Sequence, residues 1–184
     1  MGSYITTYTH RHFDPADPDP ELILIEDIAH ALSMLCRGNG HVSSFWSVGE
    51  HCICCAKEAA GRGLSKKVVL ACLLHDASEC YMSDVPRPLK QNMKDYKQQE
   101  SSLLNVIYRK FLGEALTEEE EKQIRAIDDD LLWYDLEMLL GEKQDREKPE
   151  LHIRLDYKVR PFKMVEREYL DFFRELSSEL ESKA

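Results

Sequence analysis

Apolar residues return every three or four positions along most of the chain, which is the period of a helix with one buried face. Ser47 and Thr117 are each followed three residues later by glutamate, the pattern of a capping box, and Ser65 can cap the central helix. The prolines of residues 1–20 predict an extended lead-in rather than a helix. No alternating strand pattern of useful length and no repeat interrupts this picture. The period predicts helices over residues 25–36, 48–60, 65–81, 92–112, 117–140 and 161–181.

The sequence therefore predicts an all-α fold, a bundle of about six helices in a single domain that covers residues 1–184. A chain of this length is long enough to bury a sizeable core. The last helix, residues 161–181, carries an aromatic stripe that suits either the core of the bundle or an interface between copies. We expect it to pack on the bundle, and we expect a homodimer or higher homo-oligomer.

Composition narrows the classes of partner. With 34 acidic and 24 basic residues the net charge is −10, which argues against binding of extended nucleic acid. A small anionic substrate stays possible, because a metal ion and a few local cations can reverse the field inside a pocket. No apolar run approaches the roughly 18 residues of a membrane span, and the start MGSYITT does not resemble a signal peptide. The six cysteines lie in apolar helical contexts, so we expect a soluble cytoplasmic protein with reduced thiols.

One stretch departs from the pattern of an ordinary bundle helix. The apolar run of residues 68–74 leads directly into His75 and Asp76, and Glu79 and Asp84 follow. In a helix, His75 and Glu79 are four residues apart and share a face. Burial of an imidazole and carboxylates beside a core segment costs free energy unless something pairs with them. A metal ion pairs with all of them at once.

Other helices supply further candidate ligands. His51 opens the helix capped by Ser47, and three aspartates occupy residues 128–130 early in the fifth helix. Asp128 and Asp129 each lie on an apolar stripe, so the period alone does not choose between them. Two imidazoles and two carboxylates suit cobalt, manganese, iron, nickel or zinc. The sequence thus predicts one divalent transition metal ion.

The same residues also have structural interpretations. His51 by itself is typical of a hydrogen-bonded core histidine, and the aspartate run is typical of a solvated helix start. Cys52 and Cys55 form a C-x-x-C pair, which occurs in redox and zinc sites. Without a second pair or a βαβ context, buried small residues are the favoured interpretation of these cysteines. Trp46, in the loop before His51, can stack on a nucleobase or fill the core.

The ordered set of His51, His75-Asp76 and Asp128 resembles the HD-domain metal-dependent phosphohydrolases, which are named after the adjacent His-Asp pair. The resemblance is closest to the bacterial and phage 5′-deoxynucleotidases and the related deoxynucleoside triphosphate hydrolases. Gly49, Ser83 and Cys80 depart from it, standing where alanine, glycine and alanine are expected. The resemblance covers roughly residues 5–140 and is carried by IEDIAHAL at 25–32, RGNGH at 37–41, FWSVGEH at 45–51, LHDASECY at 74–81 and DVPRPLK at 84–90.

This resemblance implies an HD-type bundle and a role for each matching residue. Glu79 would act on the attacking water, and Asp84 would assist proton transfer or orient that water. Arg37 and Lys90 would hold phosphate oxygens. The metal ligands would be His51, His75, Asp76 and Asp128. The substrate-binding candidates are Arg37, His41, Trp46 and Lys90.

The expected reaction is hydrolysis of the phosphate ester of deoxyribonucleoside 5′-monophosphates to deoxynucleoside and phosphate. A deoxynucleoside triphosphate triphosphohydrolase is the main alternative, because both reactions use the same residues, and the acidic composition favours the monophosphate. Another HD phosphodiesterase is less favoured, since the histidines of a second metal site are not evident. A non-catalytic nucleotide sensor would not need both Glu79 and Asp84. A thiol-redox protein that uses Cys52 and Cys55 is the last alternative.

Overall fold

The computed structural model describes residues 4–181, so the first three residues of the predicted lead-in lie outside it. The described part is mostly helical, which confirms the predicted all-α class, and each predicted helix has a counterpart. Within that range no helix combines the length and the apolarity needed to cross a membrane. In chain order the helices are α1 (Ile25–Met34), α2 (Val48–Gly61), α3 (Lys66–Leu74), the one-turn helices α4 (Glu79–Met82) and α5 (Arg87–Lys90), α6 (Lys94–Leu112), α7 (Glu118–Leu140) and α8 (Phe162–Glu181).

A small hairpin precedes the helices. Strands β1 (Ile5–Thr6) and β2 (His12–Phe13) pair in antiparallel fashion. The sequence pattern predicts no strand here, because two-residue strands are too short to show alternation. Thr9 fastens the hairpin to α1, since its backbone N–H and its hydroxyl donate to the Asp27 carboxylate at 2.7 and 2.9 Å.

The centre of the core is α3. Residues 68–74 are all buried, and α3 contacts α2, α6, α7 and α8. A helix that is apolar all round must be enclosed in this way. Tyr169 of α8 is fully buried, and its hydroxyl donates to the Leu73 carbonyl at 2.6 Å. The end of α3 is therefore held from several sides.

The predicted helix over residues 65–81 is wrong in its second half. The α-helix ends at Leu74, and residues 75–78 form a tight turn before α4. His75 keeps near-helical backbone angles, but the Ala77 N–H bonds to the Leu74 carbonyl and the Glu79 N–H to the Asp76 carbonyl. These are the three-residue hydrogen bonds of a 3₁₀-type turn. Apolar periodicity cannot reveal this change, because it alters the hydrogen-bond register and not the residue types.

The start of α2 is fixed by its cap and by a close approach to α1. Ser47 and Glu50 form the predicted capping box, and Thr117 forms the one predicted for α7. A Cβ atom at Gly49 would lie 3.2 Å from the backbone of Leu32 and Ser33 in α1. Glycine at this position thus lets the two helices approach closely.

Candidate metal centre

The four predicted metal ligands come together where α2, α7 and the turn after α3 meet. His51 Nε2 lies 3.0 Å from Asp128 Oδ1. His75 Nε2 lies 3.3 Å from Asp76 Oδ2 and 3.7 Å from Asp128 Oδ1. Nitrogen and oxygen ligands of one ion, each about 2.0–2.2 Å from it, lie about 3–3.5 Å apart at ordinary coordination angles. These separations are close to those of ligands that share a cation.

His75 presents a free nitrogen to this cluster. Its Nδ1–H donates to the Cys72 carbonyl at 2.8 Å, so in the neutral ring Nε2 carries the lone pair. Nε2 and Asp76 Oδ2 are buried and have no hydrogen-bond partner among the described residues, although they face each other. Burial works against a charge on His75, but Asp76 and the other neighbours outweigh it and raise the pKa of His75 well above its usual value. The acidic neighbours of His75 therefore stabilise a cation at Nε2, either a proton or a metal ion.

His51 faces a carboxylate with each ring nitrogen. Nδ1 lies 3.0 Å from Asp135 Oδ2 and Nε2 lies 3.0 Å from Asp128 Oδ1, and the side chain is only 1% exposed. A neutral imidazole can donate at only one nitrogen. If Nδ1–H donates to Asp135, then Nε2 turns its lone pair to Asp128, an arrangement that a cation between them stabilises. Metal-binding histidines commonly donate their other N–H to a carboxylate.

Asp135 is a functional candidate that the sequence motifs do not contain. Its Oδ1 accepts a hydrogen bond from the Tyr157 hydroxyl at 2.9 Å, and Arg37 lies 3.4 Å from Oδ2. Burial works against ionisation of Asp135, but the bond from His51 and the charge of Arg37 outweigh it and lower its pKa. The sequence signal that could have identified Asp135 is its spacing, because it follows Asp128 by two helical turns and lies on the same helix face.

Within the aspartate run, it is Asp128 that reaches the cluster. Asp129 Oδ1 instead accepts a hydrogen bond from Arg87 at 3.0 Å, and Asp130 pairs with Arg62. Arg87 also donates to Asp128 Oδ2 at 3.0 Å, which leaves Oδ1 facing the histidines. The run lies in the middle of α7 and not at a helix start, because α7 begins ten residues before Asp128.

Glu79 and Asp84 lie beside the cluster. Glu79 is buried, and its Oε2 has no hydrogen-bond partner among the described residues. Burial, with Asp76 and Asp84 nearby, raises the pKa of Glu79 well above its usual value. Burial also raises the pKa of the half-buried Asp84. Both carboxyl groups thus have a raised pKa, as suits groups that exchange protons with a substrate.

Of the four predicted substrate-binding residues, two line the site. Arg37 is largely buried, 3.6 Å from Asp76 Oδ2, and Lys90 Nζ lies 4.0 Å from Glu79 Oε1. His41 is exposed and Trp46 is buried against Tyr157, with ring centroids 4.8 Å apart. The structure does not bring His41 or Trp46 to the cluster, and their role in substrate binding stays a prediction.

Two cavities are lined in part by residues of the cluster. One of about 530 Å³ has an apolar part of its lining that consists of Val42 and leucines of α7. Its charged lining residues include Arg37, Glu79 and Asp84. The other, of about 390 Å³, is lined by His75 and Asp128 together with Lys97 and Arg125. Asp76, Lys90 and Asp128 border both cavities.

Thiols also approach the cluster. Two groups of three residues have ligand atoms within 4.8 Å of one another: His51 with Cys55 and His75, and Cys52 with His75 and Asp76. The C-x-x-C pair is buried, as the structural interpretation predicts, but it is buried beside candidate metal ligands. The described residues therefore include sulfur as well as nitrogen and oxygen donors that can hold a metal ion.

Comparison with known proteins finds relatives that are themselves uncharacterized. The chain is 37% identical to the uncharacterized protein YfdR of Escherichia coli K12 over 109 aligned residues, and the alignment covers 59% of this chain and 58% of that protein. The chain is 34% identical to the uncharacterized protein RCAP_rcc00048 of Rhodobacter capsulatus over 124 aligned residues, and this alignment covers 64% of this chain and 63% of that protein. The chain thus spans about three fifths of the length of these relatives. No family model matches the chain.

Proposed function

We propose that this chain is an HD-type metal-dependent phosphohydrolase that converts deoxyribonucleoside 5′-monophosphates to deoxynucleoside and phosphate. The observation that carries the proposal is the meeting of His51, His75, Asp76 and Asp128, with Asp135 behind His51. The resemblance of residues 25–90 to the HD deoxynucleotidases supports the same reaction. The six free cysteines of the chain suit a reducing cytoplasmic compartment. A homo-oligomer is also part of the proposal, and light scattering tests it.

The donor atoms fit a divalent transition metal ion. Imidazole nitrogens with carboxylate oxygens suit cobalt, manganese, iron, nickel or zinc. The buried Nε2 of His75 and Oδ2 of Asp76, which lack hydrogen-bond partners among the described residues, support this assignment. When bound, such an ion lowers the pKa of a water molecule and polarises a phosphoryl oxygen.

Glu79 and Asp84 supply the proton chemistry. The free Oε2 of Glu79 can accept a proton from the attacking water, because no described residue hydrogen-bonds it. Asp84 borders the same cavity and can orient that water or return the proton to the leaving group. Burial raises the pKa of both carboxyl groups, which is the direction that suits groups that exchange protons with a substrate.

Arg37 and Lys90 offset the charge of the phosphoryl group. Arg37 is held by Asp76 and Asp135, so its guanidinium is oriented before substrate arrives. Lys90 lies between Glu79 and Glu100 on the border of both cavities. Preorganised cations of this kind stabilise charge that develops in the transition state. The apolar part of the lining, with Val42, suits the sugar and base of a nucleotide.

The second cavity favours a second candidate reaction, release of tripolyphosphate from deoxynucleoside triphosphates. Its lining includes His75 and Asp128 together with the cations Lys90, Lys97 and Arg125. It offers room and positive charge for phosphoryl groups beyond the first. Glu100 and Glu121 in the same lining reduce that positive charge, so we keep the monophosphate as the first candidate.

The test measures the products formed from deoxynucleoside monophosphates, ribonucleoside monophosphates and deoxynucleoside triphosphates, with the protein loaded in turn with cobalt, manganese, zinc and magnesium. Inorganic phosphate from the deoxynucleoside monophosphates is the expected product. Tripolyphosphate from a triphosphate would move the assignment to the second candidate. A protein that holds metal but turns over none of these substrates would contradict the enzymatic proposal and favour a nucleotide sensor.

A further inference from the structure

We infer that Cys55 is a sulfur ligand of the metal centre, which makes the centre selective for thiophilic divalent ions such as cadmium, zinc and cobalt over manganese and magnesium. The inference rests on the metal centre of the proposed function but does not depend on the reaction. It adds a donor that the resemblance to HD phosphohydrolases does not imply.

The distance between the two donor atoms carries the inference. Cys55 follows His51 by four residues in α2, so both side chains lie on one face of the helix. Cys55 Sγ lies 3.4 Å from His51 Nε2. A nitrogen and a sulfur bound to one ion at about 2.0 and 2.3 Å lie about 3.1–3.5 Å apart for angles between tetrahedral and right-angled. The observed separation falls in that range.

A second observation points to a ligand in the same space. The His75 side chain is only 8% exposed, and its Nε2 has no hydrogen-bond partner among the described residues. The ligand atoms of His51, Cys55 and His75 all lie within 4.8 Å of one another. Cys55 is itself buried, and its thiol contacts His51 Nε2 at 3.4 Å.

Coordination of the ion by Cys55 releases one proton and involves no redox change. The S–H bond breaks, the proton passes to solvent, and the sulfur donates an electron pair to the ion, so nothing is oxidised or reduced. Thiolate ligands shift selectivity toward softer ions, whereas carboxylates favour manganese and magnesium. Cys52 also lies near His75, but Cys55 contacts His51, whose Nε2 also meets Asp128. We therefore assign Cys55 as the ligand.

The test uses the absorption of the full-length protein loaded with cobalt(II). A sulfur-to-cobalt charge-transfer band in the near ultraviolet is expected in the wild type and in Cys54→Ser, a control in the same helix that belongs to neither metal-capable group. The band should be lost in Cys55→Ser and in Cys55→Val, which fills the apolar space if serine is not tolerated. Cobalt-bound wild type without the band, a band that persists in both Cys55 variants, or one lost only in Cys52→Ser would overturn the assignment.

A competition assay supplies an independent readout. The ratio of cadmium affinity to manganese affinity should fall on the order of tenfold or more in Cys55→Ser, the scale on which changes near a metal act. An unchanged ratio would overturn the inference. Cobalt protein that shows the band but hydrolyses no nucleotide would contradict the proposed function and leave this inference standing. Hydrolysis without the band would support the proposed function and overturn the assignment of Cys55. A protein that binds no cobalt would contradict the proposed function and the assignment of Cys55.

Discussion

The substitution Asp135→Asn tests whether metal affinity depends on a residue behind the ligand shell. Asp135 Oδ2 lies 3.0 Å from His51 Nδ1, and Oδ1 accepts a hydrogen bond from Tyr157. Asparagine keeps the size of the side chain but removes its charge. Hydrogen bonds to charged groups contribute about 1.5–3 kcal/mol and neutral ones about 0.5–1.5, so the change removes about 1–1.5 kcal/mol. That corresponds to a loss of metal affinity of about tenfold, at the lower end of the range for outer-shell carboxylates.

The assay titrates metal-free protein with zinc or cobalt against a chromophoric chelator that competes for the ion. Asp130→Asn is the matched control, because Asp130 lies on the same helix but pairs with Arg62 and Arg146 away from the cluster. The control should bind metal as the wild type does. Unchanged affinity in Asp135→Asn, or an equal loss in Asp130→Asn, would refute the argument that Asp135 orients His51.

Substitutions at Glu79, Ser83 and Glu58 test the proposed catalytic base, a strained turn and a buried carboxylate that anchors the connection before α8. Glu79→Ala should retain the bound metal but lower turnover by about 10²–10⁴-fold, and equal loss of metal would make Glu79 a ligand instead. Ser83 has φ 71° and ψ 157°, a region that favours glycine, so Ser83→Gly should raise the free energy of unfolding by about 0.5–2 kcal/mol. A fall in denaturation midpoint would contradict this. Burial works against ionisation of Glu58, but hydrogen bonds from Arg62 and His152 outweigh it and lower its pKa. Its stabilisation is therefore complete above the ordinary pKa of 4.5 and is lost as the pH falls through the lower folded-state value. Glu58→Gln should lower the free energy of unfolding by about 2–3 kcal/mol at neutral pH and reduce its dependence on pH below 4.5. A variant whose stability varies with pH in parallel with that of the wild type would contradict this role of Glu58.

The long helices could be predicted because local signals and apolar period agree. Ser47, Ser65 and Thr117 each accept the backbone hydrogen bond that their position predicts. The turn of residues 75–78 could not, because it depends on hydrogen-bond register and on the enclosure of α3 by its neighbours. Ser83 lies at the end of the next short helix, where the resemblance favours glycine and the backbone adopts a glycine-like conformation.

The candidate metal ligands could be predicted because their residue types are costly to bury unless they are paired. The groups that orient them could not. Asp135 is one aspartate in an amphipathic helix, and Tyr157 lies in a connection without periodicity that Glu58 anchors through the N–H of His152. Their meeting depends on the packed fold. The burial of Trp46 against Tyr157 likewise depends on packing, which the sequence pattern does not show.

The dependence of hydrolysis on the metal ion is tested by following metal occupancy and phosphate release in the same sample. Metal-free protein is titrated with cobalt or manganese at saturating deoxynucleoside monophosphate, with His75→Ala as the variant expected to lose the ion. Phosphate release should rise with bound metal until one ion is held per chain, and His75→Ala should show neither. Full occupancy without phosphate release, or release that is independent of metal, would contradict metal-dependent hydrolysis at this site.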